Sequence, residues 1–143
     1  MAAPVLILDE TDSTNAEARR RAGAGEVGPL WITARRQTAG RGRRGRQWGS
    51  DSGNLFTSLL LLAQKSPAGA AQLTFAASLA VADLLDRYVP AALVTIKWPN
   101  DVLLDGRKTS GILIESGPAP SGGLWLAVGI GVNLTQTPGD TER

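Results

Sequence analysis

Gly40-Arg41-Gly42-Arg43-Arg44-Gly45-Arg46-Gln47-Trp48 is the stretch on which the fold turns. Gly40, Gly42 and Gly45 formally satisfy G-x-G-x-x-G, the dinucleotide-binding fingerprint, which requires a helix to open directly after the glycines. Here Gln47-Trp48-Gly49-Ser50-Asp51-Ser52-Gly53 follows, and such a run does not start a helix. No Gly-Lys-Ser/Thr triplet occurs, so the segment is not a P-loop either. Residues 37–54 show neither the period of a strand nor that of a helix, and read as one long loop. A loop of that length inside a compact domain is commonly a binding loop or a lid.

The loop is flanked by strands. Residues 30–34 are β-rich, and residues 55–62 form an apolar run of strand length. Ahead of them, residues 5–8 read as a strand, and 9–13 as polar punctuation. Thr14-Asn15-Ala16-Glu17 has capping-box spacing, so a helix is expected from about Ser13 to Gly23 or Gly25, with Arg19, Arg20 and Arg21 in its last turn. Residues 67–88 read as one long helix. Its stripe of Leu73, Ala76, Ala77, Ala80, Val81, Leu84 and Leu85 is expected to face the core. Strands are expected at 94–98, 102–104, 109–115 and 124–134, with a hairpin turn at Asp105-Gly106. Two helices are too few to cover both faces of a six- or seven-stranded sheet. The expected class is therefore α+β, a mixed β-sheet with its helices on one face.

Composition narrows the chemistry. The 143 residues are 43% hydrophobic, enough for one domain with its own core. Cysteine and histidine are both absent. That excludes disulfides, thiol nucleophiles, Ser-His-Asp triads and metal sites ligated by His or Cys. The longest apolar run, residues 59–63, is far short of the ~20 residues of a spanning helix, and the N-terminus lacks a positive signal-peptide region. A cytoplasmic location with no membrane partner is expected. Charge is uneven: Arg35, Arg36, Arg41, Arg43, Arg44 and Arg46 are crowded into residues 35–48, while the remaining nine basic residues face thirteen acidic ones. Such a segment is suited to meeting an anion.

Several stretches carry chemistry. In the Gly-Arg loop, glycines let backbone N–H groups approach a ligand, the arginine forks match phosphate or carboxylate, and Trp48 offers a stacking face. The plainer alternatives are a solvated basic loop or an RNA-binding patch. Lys97-Trp98-Pro99-Asn100-Asp101 stops a strand at a turn, since Pro99 forces its predecessor to be extended. Lys108 follows the Asp105-Gly106 turn among small neighbours, Ser110 and Gly111, although a single lysine is ordinarily surface. Ser13, Thr14 and Asn15 are also ordinary capping residues. Gly129 and Gly131 inside a strand pattern imply either a bulge or the close approach of a ligand or backbone.

Taken in order, Asp12-Ser13-Thr14-Asn15, Gln37 to Trp48, Lys97 to Asp101, Lys108 to Glu115 and Gly129-Ile130-Gly131-Val132-Asn133 resemble the biotin protein ligases. The resemblance covers residues 7–134, and it is the five motifs in sequence that make it specific. It implies the fold shared with class II aminoacyl-tRNA synthetases and lipoate ligases. It also implies ATP-dependent activation of biotin to biotinyl-5′-AMP with Mg²⁺, followed by transfer to a lysine of a biotin carboxyl carrier protein. On the matching positions, biotin falls to Ser13, Thr14, Asn15, Gln37, Arg41, Gly42, Arg43 and Lys108. The nucleotide falls to Arg43, Arg46, Trp48, Asn100, Gly131 and Asn133. Arg41, Lys108 and Asp101 are the expected catalytic groups, with permanent cations meeting the charge that gathers on phosphate.

Residues 1–143 are expected to be a catalytic domain that lacks the family's C-terminal elements, since Asn133 and Leu134 are followed only by a polar tail. No helix-turn-helix precedes Val5, so no DNA partner is expected, while a homodimer is common in the family. The rival readings are a lipoate-type acyl-adenylate ligase, a biotin-binding fragment without turnover, and a nucleic-acid binder acting through residues 35–48.

Overall fold

A computed structural model describes residues 2–63 and 66–135. The chain runs β1 (Val5–Thr11), α1 (Thr14–Gly23), β2 (Leu30–Gln37), β3 (Leu55–Ala63), α2 (Pro67–Ala71), α3 (Leu73–Leu85), β4 (Val94–Lys97), β5 (Asp101–Leu104), β6 (Arg107–Pro118) and β7 (Leu124–Val132). The seven strands form one sheet in the order β1-β2-β3-β7-β6-β5-β4. β1 and β2 are parallel and joined through α1; the other neighbouring pairs are antiparallel. The sheet is therefore mixed, as expected. The polar tail that follows Leu134 lies largely outside the described residues.

Helix α1 starts one residue ahead of the box read from the sequence. Ser13 is extended, and its Oγ accepts from the Ala16 amide at 3.0 Å. Glu17 turns instead to Arg20 and Arg21 in the last turn. The helix lays Ala18 and Ala22 on Leu30, Ile32, Leu60 and Ala127. Small residues on the helix bring its axis close to the sheet.

The segment expected as one helix over 67–88 is interrupted at Gln72, and α3 stops at Leu85. The stretch Ala68–Leu85 has the length and apolar composition of a membrane-crossing helix. In the fold, α3 instead lays Ala77, Val81 and Leu85 on the sheet. Its buried face is Ala77, Ser78, Val81 and Leu85, whereas Ala76, Ala80 and Leu84 are exposed. Apolar residues surround most of this helix, so periodicity does not fix which of them turn inward.

The expectation of helices on one face is corrected. Leu60 and Ala127 pack with α1, while their chain neighbours Leu59 and Val128 pack with Ala77 of α3. Successive strand residues point to opposite faces. The two helices therefore cover opposite faces, α1 over β2, β3 and β7, and α3 over β4 to β7. Several strands also run past their expected ends. β1 continues through Asp9–Thr11, where Glu10 registers with Arg36, and β6 extends to Pro118. β7 stops at Val132, so Asn133 and Leu134 lie just beyond it. The loop over 38–54 holds only a 3-10 turn at Arg43–Gly45 and a bridge between Arg41 and Gln47.

Candidate active site

On the α1 face of the sheet lies a cavity of about 550 Å³. α1 covers one part of that face. The other part, over β5, β6 and β7, is left open by the end of α1 and roofed by the Gly-Arg loop. Ser13, Thr14, Asn15, Gln37, Arg41, Gly42, Arg43, Arg46, Trp48, Asn100, Asp101, Lys108 and Gly131 all line it. Of the residues picked from the sequence, Asn133 alone is not in the lining. It follows Gly131 by two positions, and neither polar atom of its buried amide has a hydrogen-bond partner among the described residues.

One end of the cavity is built from neutral hydrogen-bonding groups. Gln37 Oε1 accepts from the Thr14 amide at 2.8 Å, and Gln37 Nε2 donates to Ser50 Oγ at 3.0 Å. Ser58 Oγ lies 2.7 Å from Thr14 Oγ1 and 2.6 Å from Asn15 Oδ1. Ahead of this cluster, Asp12 accepts from the Ser13 amide and pairs with Arg20. Its hydrogen bonds to the Arg20 guanidinium, aided by that amide and the Thr11 hydroxyl, hold its carboxyl well below the usual carboxylate range. The same contact holds the Arg20 guanidinium more firmly charged.

The other end is cationic. Arg43 donates to Asn100 Oδ1 at 2.7 Å, while Asn100 Nδ2 donates to the Ile112 carbonyl at 3.0 Å. Lys108 Nζ lies 2.9 Å from Asp101 Oδ1 and 5.5 Å from the centre of the Trp48 ring. This is charge pairing plus a cation over an aromatic face. Lys97 and Arg46 also line the cavity.

Glycines make the floor. A Cβ placed on Gly131 would fall 2.6 Å from Trp48 Nε1, and one on Gly111 would fall 2.9 Å from the same ring. Gly129 is likewise covered, by the Asn15 amide. Of the two readings of Gly129 and Gly131, close approach is the observed one, and the groups that approach are side chains of α1 and the loop. The Trp48 indole N–H is buried with no acceptor among the described residues.

Sequence reasoning missed Glu115, Ser58, Ser50 and Gly111. Ser58 is, with Thr57, one of two hydroxyl residues that interrupt an apolar strand, and Glu115 a carboxylate closing the run Ile112-Leu113-Ile114; those interruptions were the available signals. Glu115 meets the Arg41 guanidinium with both oxygens at 3.0 Å and takes a 2.9 Å bond from Asn15 Nδ2. Arg35 pairs with Asp9, and Arg36 with Glu10. Arg35, Arg36, Arg41 and Arg43 thus all find partners within the chain, which is not the arrangement of a free basic surface. Among the described residues no group of three or more His, Cys, Asp or Glu stands ready to hold a metal.

Comparison with known proteins agrees with this geometry. The profile of the biotin/lipoate A/B protein ligase family matches residues 9–134. The chain is 52% identical over 133 residues to the biotin–[acetyl-CoA-carboxylase] ligase of Paracoccus denitrificans, covering 92% of this chain and 55% of that protein. It is 38% identical over 131 residues to the bifunctional ligase/repressor BirA of Escherichia coli K12, covering 91% and 40%. It thus spans about half the length of such relatives, or less. Similar solved structures include the biotin protein ligase of Leishmania major with biotinyl-5-AMP (TM-score 0.70, 30% identity, 96% of this chain and 60% of that one). The biotin protein ligase of Aquifex aeolicus with biotin and ATP is another (TM-score 0.72, 32% identity, 96% and 56%).

Proposed function

The chain belongs to the biotin/lipoate A/B protein ligase family, and from that premise we propose that it activates biotin with ATP and serves its transfer to a carrier-protein lysine. The observation that carries this reading is the polarity of the cavity. Neutral donors and acceptors at the α1 end suit a cyclic urea with its N–H and C=O groups. The cationic end suits a carboxylate and a phosphate. Biotin's ring lies against Ser13, Thr14, Asn15 and Gln37, and its acid points toward Arg43 and Lys108.

In the first step a biotin carboxylate oxygen attacks the α-phosphorus of ATP. The bond from that phosphorus to the bridging oxygen breaks, and pyrophosphate leaves. Arg43 and Lys108 are permanent or nearly permanent cations that stabilise the charge developing on phosphate. Arg41, Gly42 and Arg46 belong to the roof that excludes water from the mixed anhydride. Trp48, Asn100, Gly131 and Asn133 take the adenosine side, where the Trp48 N–H and the Asn133 amide lack partners among the described residues. Mg²⁺ would neutralise phosphate charge when bound with the nucleotide. In the second step the amine of the acceptor lysine attacks the acyl carbon, the acyl–oxygen bond breaks, and AMP leaves. Asp101, beside Lys108, orients that amine or takes its proton. The acceptor is a biotin carboxyl carrier protein, and the reaction is placed in the cytoplasm.

The test is native mass spectrometry after incubation with biotin, ATP and Mg²⁺. Retained biotinyl-AMP is the expected result, with lipoate giving none. Neither ligand on a folded sample overturns the reading, and lipoyl-AMP alone would reassign the substrate. In an Asp101→Asn variant, adenylate should still form while transfer to the carrier slows; an unchanged transfer rate removes the role given to Asp101.

A further inference from the structure

Three donors converge on one carboxylate at the edge of the cavity. Glu115 projects from β6 onto the α1 face, by the same alternation that puts Gly111 and Leu113 there. Its two oxygens receive both terminal nitrogens of Arg41, each at 3.0 Å. The oxygen that meets Nη2 also receives Asn15 Nδ2. Arg41 and Glu115 are 74 residues apart in the chain, so the contact belongs to the tertiary fold. It joins three elements of the site: the Gly-Arg loop, α1 and the central strand β6.

We infer that Glu115 is a positioning residue that straps the Gly-Arg loop to the sheet through Arg41 and orients the Asn15 amide. The inference deepens the reading of this cavity as a biotin-activating site and rests on it for its catalytic part. Arg41 opens the turn that ends at Gln47, bridging across to it. Within that turn the Gly42 amide donates to the Arg46 carbonyl at 2.8 Å, and the Trp48 amide donates to the Gly40 carbonyl at 2.9 Å. Fixing Arg41 therefore fixes the base of the turn that carries Arg43 and Trp48. A two-pronged guanidinium–carboxylate pair is directional as well as attractive. An ionised carboxylate is acceptor-only, so together with the Leu113 carbonyl, which accepts from the same Asn15 Nδ2 at 3.1 Å, it commits the Asn15 amide to point its NH₂ group toward β6. That leaves Asn15 Oδ1 toward Ser58. Arg41, both of whose terminal nitrogens are taken up by Glu115, holds the roof in place, while Arg43, held by Asn100, and Lys108, held by Asp101, stand at the cationic end of the cavity.

Glu115→Gln keeps the volume and replaces one acceptor by an NH₂ group facing donors. Hydrogen exchange of the ligand-free protein reads the strap without any reaction. The Gly42 and Trp48 amides should exchange about fivefold faster in Glu115→Gln, the scale set by a well-formed, partly exposed ion pair. Amides of β3 and β7 should be unchanged. Unchanged exchange at Gly42 and Trp48 overturns the inference whatever the protein catalyses. On protein preloaded with biotinyl-AMP, Glu115→Gln and Arg41→Gln should each speed adenylate release by a similar factor. The double variant should be no faster than the quicker single one, while Glu115→Asp, keeping the charge, should recover part of the loss. Additive effects overturn the coupling. Should the parent protein form no adenylate, the catalytic reading fails, and the exchange measurement still decides the strap. If Glu115→Gln melts early, Arg41→Gln, which removes the same pair from the loop side, gives the same exchange comparison.

Discussion

Gly131 shows how much one absent methyl group decides. Its backbone is extended, so alanine is conformationally allowed there, and the objection is purely one of space. The indole of Trp48 occupies the place of the Cβ. Gly131→Ala should expel the ring at an overpacking cost of about 1–3 kcal/mol. On the proposed function the KM for ATP should rise roughly tenfold, since that reading puts the adenosine beside Trp48, with a smaller effect on biotin binding. Pyrophosphate release under ATP titration, with tryptophan fluorescence for the ring, checks this. At this scale the sequence was informative where a residue type was unusual for its setting. Glycines inside an apolar strand pattern pointed to a close approach. It was silent on partnership. Nothing local in Arg41 or Glu115 announces a pair between residues 41 and 115, because only the laying of the loop over β6 brings them together.

At the scale of the element, α1 is secured at both ends by side chains. Ser13 caps the start, and Asp12, just ahead of it, reaches forward to Arg20 near the end. Asp12 titrates well below its usual range in the folded protein because Arg20 is hydrogen-bonded to it. Its contribution to stability is therefore complete above the ordinary carboxylate pKa of about 4 and is lost as pH falls through the lowered value. Arg20→Met should reduce the melting temperature at pH 6, and the difference from wild type should shrink steadily as the pH is taken from 4 toward 2. The pair is half exposed, so the effect is small and weakens with salt. Capping and turn chemistry made α1 and the Asp105-Gly106 hairpin legible from sequence, since both depend on neighbours a few residues apart. Asp105 and Gly106 indeed take positive φ values of 50° and 74°. The orientation of α3 was not legible. A helix that is apolar nearly all round leaves the choice of face to the sheet beneath it.

At the scale of the whole molecule, the sheet has two faces with different duties. The α1 face carries the candidate site, and the other face packs α3 through Ala77, Val81 and Leu85. Leu60→Ala, under α1, should cost about 2–5 kcal/mol and weaken biotin binding along with stability. Val81→Ala, on α3, should lower stability by about 2 kcal/mol and leave biotin affinity within twofold. Calorimetry for both quantities on both variants separates the faces; equal losses of affinity would contradict the division. The placement of helices was the part of the fold that sequence misjudged, because counting helices limits coverage without saying how it is shared. The strand order has a consequence in time. β7 lies between β3 and β6, and without it β1-β2-β3 and β6-β5-β4 have no ladder in common. A nascent chain can assemble each three-stranded part as it emerges, yet the cavity draws its walls from both. Recognition of any ligand must wait for β7, carried on its hairpin with β6, to bring its other edge onto that of β3, a pairing of distant segments that is slow by nature. Until then those edges stand open to other chains, so ligand present during synthesis can rescue only molecules that have already passed that step.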